Sequence, residues 1–221
     1  MKIKSGTHLS IFDTFKIKGE LTGEANRQRS ILTILANSTN PADRTRTGIS
    51  QRIAKEKGMS WKNIYSGIFR DLDEILIPLE IVEEDGRLPL KRGPKALQEN
   101  GIPYYHLTKK GLLVALAINE INNREKLLQA FFLKSEAKEK EYERIITNLS
   151  AISPKFTSSI FQKYVKAFCD NKIKDLLPLD LLKLKDISDE SLLIQKEILE
   201  ACLKQSKQTK EDVIVLLNEI T

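Results

Sequence analysis

Histidine and cysteine are scarce in this chain, two of each in 221 residues. That scarcity removes whole classes of chemistry. A zinc site needs three or four nitrogen or sulfur ligands at close spacing. His8, His106, Cys169 and Cys202 stand far apart, and no Cys-x-x-Cys pair occurs. Both cysteines fall in helical segments and read as small buried hydrophobes of a reducing compartment. A histidine-based acid or nucleophile relay has little to draw on. Also missing are Gly-x-Gly-x-x-Gly, Gly-x-x-x-x-Gly-Lys-Ser/Thr, Gly-x-Ser-x-Gly and His-Glu-x-x-His. The expectation is a protein that is not an enzyme and uses no metal and no cofactor.

Long apolar runs are missing too. Leu112–Ile118 is apolar but far short of the roughly 18 residues a membrane span requires, and Asn119 and Glu120 follow it. Lys2 and Lys4 near the start are not followed by an apolar segment, so no signal peptide is read there. A cytoplasmic location with no membrane partner is expected. No internal repeat or low-complexity tract occurs. With 41% hydrophobic and 30% charged residues, the chain can build a proper core.

What the chain has is positive charge in one half. Residues 1–121 hold 19 Lys and Arg against 14 Asp and Glu, a net of +5. Residues 122–221 hold 17 against 16, a net of +1. A basic excess confined to one region points to an anionic partner there. From Arg44 to Arg70 there are seven basic residues, against Glu56 within the stretch and Asp43 adjoining it. From Arg87 to Lys110 there are six, against only Glu99.

Periodicity places helices in the same region. Residues 1–26 carry Leu9, Ile11, Phe12 and Phe15 and suggest a short helix or packing arm, with breaks at Gly19 and Gly23. A helix over about 27–38 follows from Ile31, Ile34 and Leu35 at i, i+3, i+4. A second spans about 48–57, with Thr47 as its cap and Ile49 and Ile53 inward. Gly58 suits the left-handed residue that ends it. Ser60 suits the cap of the next helix. Only Gly58 and Met59 intervene, so the two helices must cross steeply. The third helix, about 61–76, carries Ile64, Ile68, Leu72 and Ile75 as one apolar stripe. Strands are expected near 79–83 and 103–107, joined by a long loop with a helical turn near 94–98. Thr108 caps a helix from Lys109 to about Ile121. Beyond it the pattern is helical only. Ser153-Pro154 opens one helix, Ser188 another, and Thr209 with Asp212 forms a capping box for the last.

The stretch Ile49–Arg70, two strands and the segment Tyr105-x-Leu107-Thr108-x-x-Gly111 resemble the winged helix-turn-helix regulators, in particular the MarR-like and PadR-like groups. The resemblance covers residues 27–121. It implies a mainly α fold: an N-terminal winged helix-turn-helix with a two-stranded wing, followed by an all-helical C-terminal region. Three parts are expected: an arm (1–26), a winged DNA-binding domain (27–121) and a helical dimerisation or effector region (122–221). The second half resembles no family.

In such a fold the third helix enters the major groove, where base edges present a readable pattern. That assigns Ser60, Lys62, Asn63, Ser66 and Arg70 to DNA. Asn63 would pair with adenine, and Arg70 or Lys62 with guanine. Arg44, Arg46 and Arg52 would meet phosphates and fix register. Arg87, Lys91, Arg92 and Lys95 would hold the wing against the backbone or minor groove. The expected function is sequence-specific binding of double-stranded DNA by a transcription regulator, acting as a homodimer through its helical C-terminal half. The rival reading is a winged-helix protein-interaction module that docks on transcription or replication machinery, because fold does not fix function.

Overall fold

The computed structural model describes residues 7–90, 99–121, 123–135, 137–207 and 209. The chain is mainly helical with a two-stranded antiparallel sheet. In order come α1 (Gly23–Asn37), α2 (Arg46–Lys57), α3 (Lys62–Arg70), β1 (Val82–Leu88) and β2 (Ile102–Leu107). Then follow α4 (Lys109–Leu116), α5 (Arg124–Leu133), α6 (Ala137–Ile152), α7 (Pro154–Cys169), α8 (Leu184–Ile187) and α9 (Glu190–Lys204). Among the described residues every element after β2 is helical.

The leading segment is an arm, not a helix. Thr14 and Leu21 bridge across a loop in which Gly19 takes φ +66°. Leu9 and Ile11 are buried, and the Ser10 amide donates to Gln28 Oε1 of α1 at 2.9 Å. Phe15 stays 53% exposed. Gly23 does not break the chain. It starts α1, because Thr22 Oγ1 accepts from the Ala25 amide at 3.1 Å and supplies the cap.

Helix α2 begins two residues before the expected point, and Thr45 rather than Thr47 caps it, accepting from the Gly48 amide at 3.0 Å. Its end follows the sequence reading. Gly58 is left-handed (φ +62°), its amide donates to Lys55 O, and the Met59 amide donates to Ala54 O at 3.0 Å. These are the paired bonds of a Schellman turn. Ser60, by contrast, does not cap α3. The cap residue is Trp61, with no side-chain bond, and backbone carbonyls of Ser60 and Trp61 take the first amides instead.

Helix α3 widens into a π-helical turn over Asp71–Leu76. A wider turn moves the next inward position one residue along. Ile68, Leu72 and Leu76 are therefore buried, while Ile75, expected inward, is only half-buried. The strand expected at 79–83 starts later, at Val82. Leu79 and Glu80 lie in a turn in which Glu80 is left-handed (φ +57°). Strand β1 then runs on to Leu88, so the connection to β2 is shorter than the sequence suggested. The helical turn expected near 94–98 lies outside the described residues, as do most of the capping box at 209–212 and the helix it would open.

The two strands pair Val82 with Leu107 and Leu88 with Ile102, with a bulge between Glu84 and Gly86. Thr45 adds a single bridge to Tyr104, which draws the start of α2 onto the sheet. Thr108 caps α4 as expected, its Oγ1 accepting from the Gly111 amide at 3.1 Å. The same hydroxyl donates to Glu80 O at 2.5 Å. A Cβ on Gly111 would run into the Ile81 carbonyl oxygen, so this approach needs glycine. The segment from Tyr105 to Gly111 is thus a clamp between the two strands and α4.

Helix α4 stops at Leu116, five residues short of the expected end. The carbonyls of Leu116 and Ile118 accept from the Arg124 guanidinium at 3.4 and 3.1 Å instead of from helix amides. The long helical pattern of 124–149 is two helices. Ser135 ends the first by donating from Oγ to Phe131 O at 2.9 Å. Helix α9 is capped by Asp189, not Ser188, through Leu192 N at 3.1 Å.

The buried apolar residues of both halves form one cluster, from Leu9 and Ile31 through Ile68 and Leu113 to Phe131, Phe161 and Leu179. Polar links reinforce the seam. Lys109 at the start of α4 pairs with the buried Glu139 of α6, and Ser158 of α7 donates to Asn119 Oδ1 at 2.8 Å.

Candidate nucleic-acid interface

Helix α3 has one face in the core and one in solvent. Ile68 is fully buried. At 3.6 residues per turn, Lys62, Ser66, Arg70 and Asn63 fall within an arc of about 100°. All four are exposed, as is Ser60 just before the helix. The arc is rimmed by Met59 (43% exposed) and Phe69 (46% exposed). An exposed arc of donors and acceptors on a helix buried along its other side can be offered to a groove.

The position of α3 is set from behind. Arg27 of α1 holds the fully buried Asp71 through Nε–Oδ2 at 2.5 Å and Nη2–Oδ1 at 3.1 Å. Burial raises the Asp71 carboxyl above its ordinary range, while the Arg27 hydrogen bonds and charge oppose that shift. Gly67 makes room for the pair. A Cβ there would sit 2.8 Å from Arg27 Nε.

The arginines expected at phosphates are spoken for inside the molecule. Arg46 pairs with Asp73, just past α3, and its guanidinium lies over the rings of Phe69 (4.6 Å) and Tyr105 (5.3 Å). Arg44 pairs with Asp85 of β1 at 2.9 Å and lies 5.1 Å from the centre of the Tyr104 ring. These two join α2, α3 and the sheet, with side chains only 24% and 14% exposed. Arg52 is more open and pairs with Asp43 at 3.2 Å. Arg70 shares itself with Glu24 at 3.3 Å.

Strand β1 is acidic. Glu83 meets His106 at 3.0 Å, Glu84 meets Arg87 at 2.6 Å and Asp85 meets Arg44. Arg87 also donates to Asn100 O at 3.3 Å, and the Glu84 carboxylate raises its pKa. Of the expected wing cations only Arg87 is described; Lys91, Arg92 and Lys95 lie outside the described residues.

Sequence reasoning counted Lys55 and Lys57 among the basic residues but gave neither a contact. Both are exposed in the last turn of α2, beside the Gly58 turn that leads to α3. Like Lys62 they are exposed lysines for which no ion pair occurs among the described residues. Basic residues at the close of one helix and the opening of the next were a signal in the sequence.

No family model, no curated protein and no solved structure matches the chain. Among the described residues no helix is long and apolar enough to cross a membrane.

Proposed function

We propose that this chain is a winged helix-turn-helix protein that binds duplex DNA sequence-specifically and regulates transcription. Helix α3 acts as the recognition helix, with Asn63 and Arg70 reading bases and Lys62 and Ser66 beside them. The observation that carries this reading is the exposed arc of Lys62, Asn63, Ser66 and Arg70 on a helix whose other face is locked in the core. The order of elements supports it: helix, tight Schellman turn, helix, antiparallel strand pair, helix. Lys55 and Lys57 contact phosphates and position the helix. The reaction class is binding, with no catalytic step.

The active form is a homodimer through the helical second half. One short recognition helix reads few base pairs, and two-fold pairing doubles the site. Exposed Leu133 and Ile145 on α5 and α6 offer apolar surface for a second copy. Selection of bound sequences from a random duplex pool tests the reading. An enriched, palindromic site is the expected result; a pool without enrichment contradicts it.

One observation favours a second reading. Strand β1 is acidic, and Arg44, Arg46 and Arg87 are paired internally, so the described residues around the strand pair are less positive than the sequence suggested. A protein-interaction module would need no positive wing. Replacing Asn63 and Arg70 with alanine separates the two: DNA discrimination drops if α3 reads bases and is unaffected if α3 docks on a protein.

A further inference from the structure

The start of α5, the corner between α6 and α7, and α9 enclose an open cavity of about 860 Å³. Among the described residues that line it the charged ones are Arg124 and Lys155, and none is Asp or Glu. Arg124 is half-buried, and its hydrogen bonds go to neutral acceptors: the carbonyls of Leu116 and Ile118, and Asn119 Oδ1 at 3.4 Å. The carboxylate whose field it feels, Glu120, is itself paired with Arg29 at 2.5 Å. Burial lowers the Arg124 pKa, and the charge of Glu120 opposes that shift. Apolar side chains share the lining: Ile152 and Phe156 at the same corner as Lys155, and Ile198 and Leu199 on α9. Ile152 and Ile198 are 57% and 64% exposed, which leaves apolar surface open at the mouth.

We propose that this cavity binds a small organic anion with an apolar body, of the class of medium-chain carboxylates. The carboxylate lies against Arg124 and Lys155, where a charge-assisted bond to guanidinium is strongest. The chain lies along Ile152, Phe156, Ile198 and Leu199. Cavities of this size, mostly apolar with a few convergent polar groups, are typical of small-ligand sites. The proposal goes beyond DNA binding and does not depend on it.

Isothermal titration of the full chain with decanoate, decanol and decylammonium tests it. Decanoate binds saturably, and the neutral and cationic analogues bind at least about tenfold more weakly, because only the anion meets the two cations. Lys155→Glu and Ile198→Asp alter exposed positions and keep the fold, checked by circular dichroism and melting. Each weakens decanoate at least about tenfold. Arg124→Gln weakens it as well. Absence of saturable binding, equal binding of decanol or decylammonium, or undiminished binding in a folded Lys155→Glu chain overturns the proposal.

Discussion

Arg27 and Asp71 form a two-bonded ion pair that ties α1 to the end of α3, with the carboxylate wholly out of solvent. Breaking such a pair from one side leaves the other charge stranded, whereas replacing both partners by apolar groups is far milder. Asp71→Ala is expected to cost about 3–5 kcal/mol in urea unfolding, and Arg27→Met with Asp71→Leu to recover most of it. Equal losses in the single and double variants would show that the pair does not hold α3.

Gly67 gives a second test of the same packing. Glycine inside a helix is about 1 kcal/mol worse than alanine. Here Gly67→Ala is expected to destabilise, because its Cβ would displace Arg27 from Asp71. In an Arg27→Ala background the sign should reverse, and Gly67→Ala should stabilise by up to about 1 kcal/mol. Thermal melts of the four chains read this directly.

The two thiols should behave differently. Cys169 is buried and its pKa is pushed up to about 12, chiefly by burial, while Cys202 is exposed. In the native chain a thiol reagent should modify Cys202 quickly and Cys169 only on unfolding. The linked pH effect has a definite sign. The folded pKa lies above the ordinary 9.0, so the fold favours the neutral thiol. That contribution is fully present below pH 9 and is lost as pH rises toward about 12. Tyr105, also raised to about 12, weakens the fold over an overlapping range. The stability difference between the native chain and Cys169→Ala isolates the thiol. A difference that stays flat across that window would contradict the burial.

The cations near α3 should divide into two groups. Lys55→Ala with Lys57→Ala is expected to weaken DNA binding evenly across sequences and to reduce the salt slope by about 2, one per lost phosphate contact. Arg44→Ala and Arg46→Ala should instead lower the melting temperature, since Arg46 joins α2, and Arg44 the turn just before it, to the sheet. Salt titrations by fluorescence anisotropy, with melts alongside, distinguish the groups.

Much of the fold was legible in the sequence because it rests on local chemistry. Gly58 and Thr108 sit where a left-handed end and a helix cap are required, and periodicity placed α1 to α3. The corrections concern tertiary choices. Thr45 rather than Thr47 caps α2, and only Thr45 also bridges Tyr104. The helix after Thr108 stops early because Arg124, eight residues beyond Leu116, takes its carbonyls. At the candidate site, solvent-facing Lys62, Asn63, Ser66 and Arg70 followed from helical spacing against the isoleucines. The pairing of Arg44 with Asp85 and Arg46 with Asp73 did not, since those carboxylates lie 41 and 27 residues away and only the folded chain brings them together.

The most direct test measures binding of the native chain, Asn63→Ala and Arg70→Ala to a selected duplex and to the same duplex with one base pair changed. If α3 reads bases, each substitution should erase about 1–3 kcal/mol of discrimination at one position while the chain stays folded. Native discrimination retained in both variants would contradict the account.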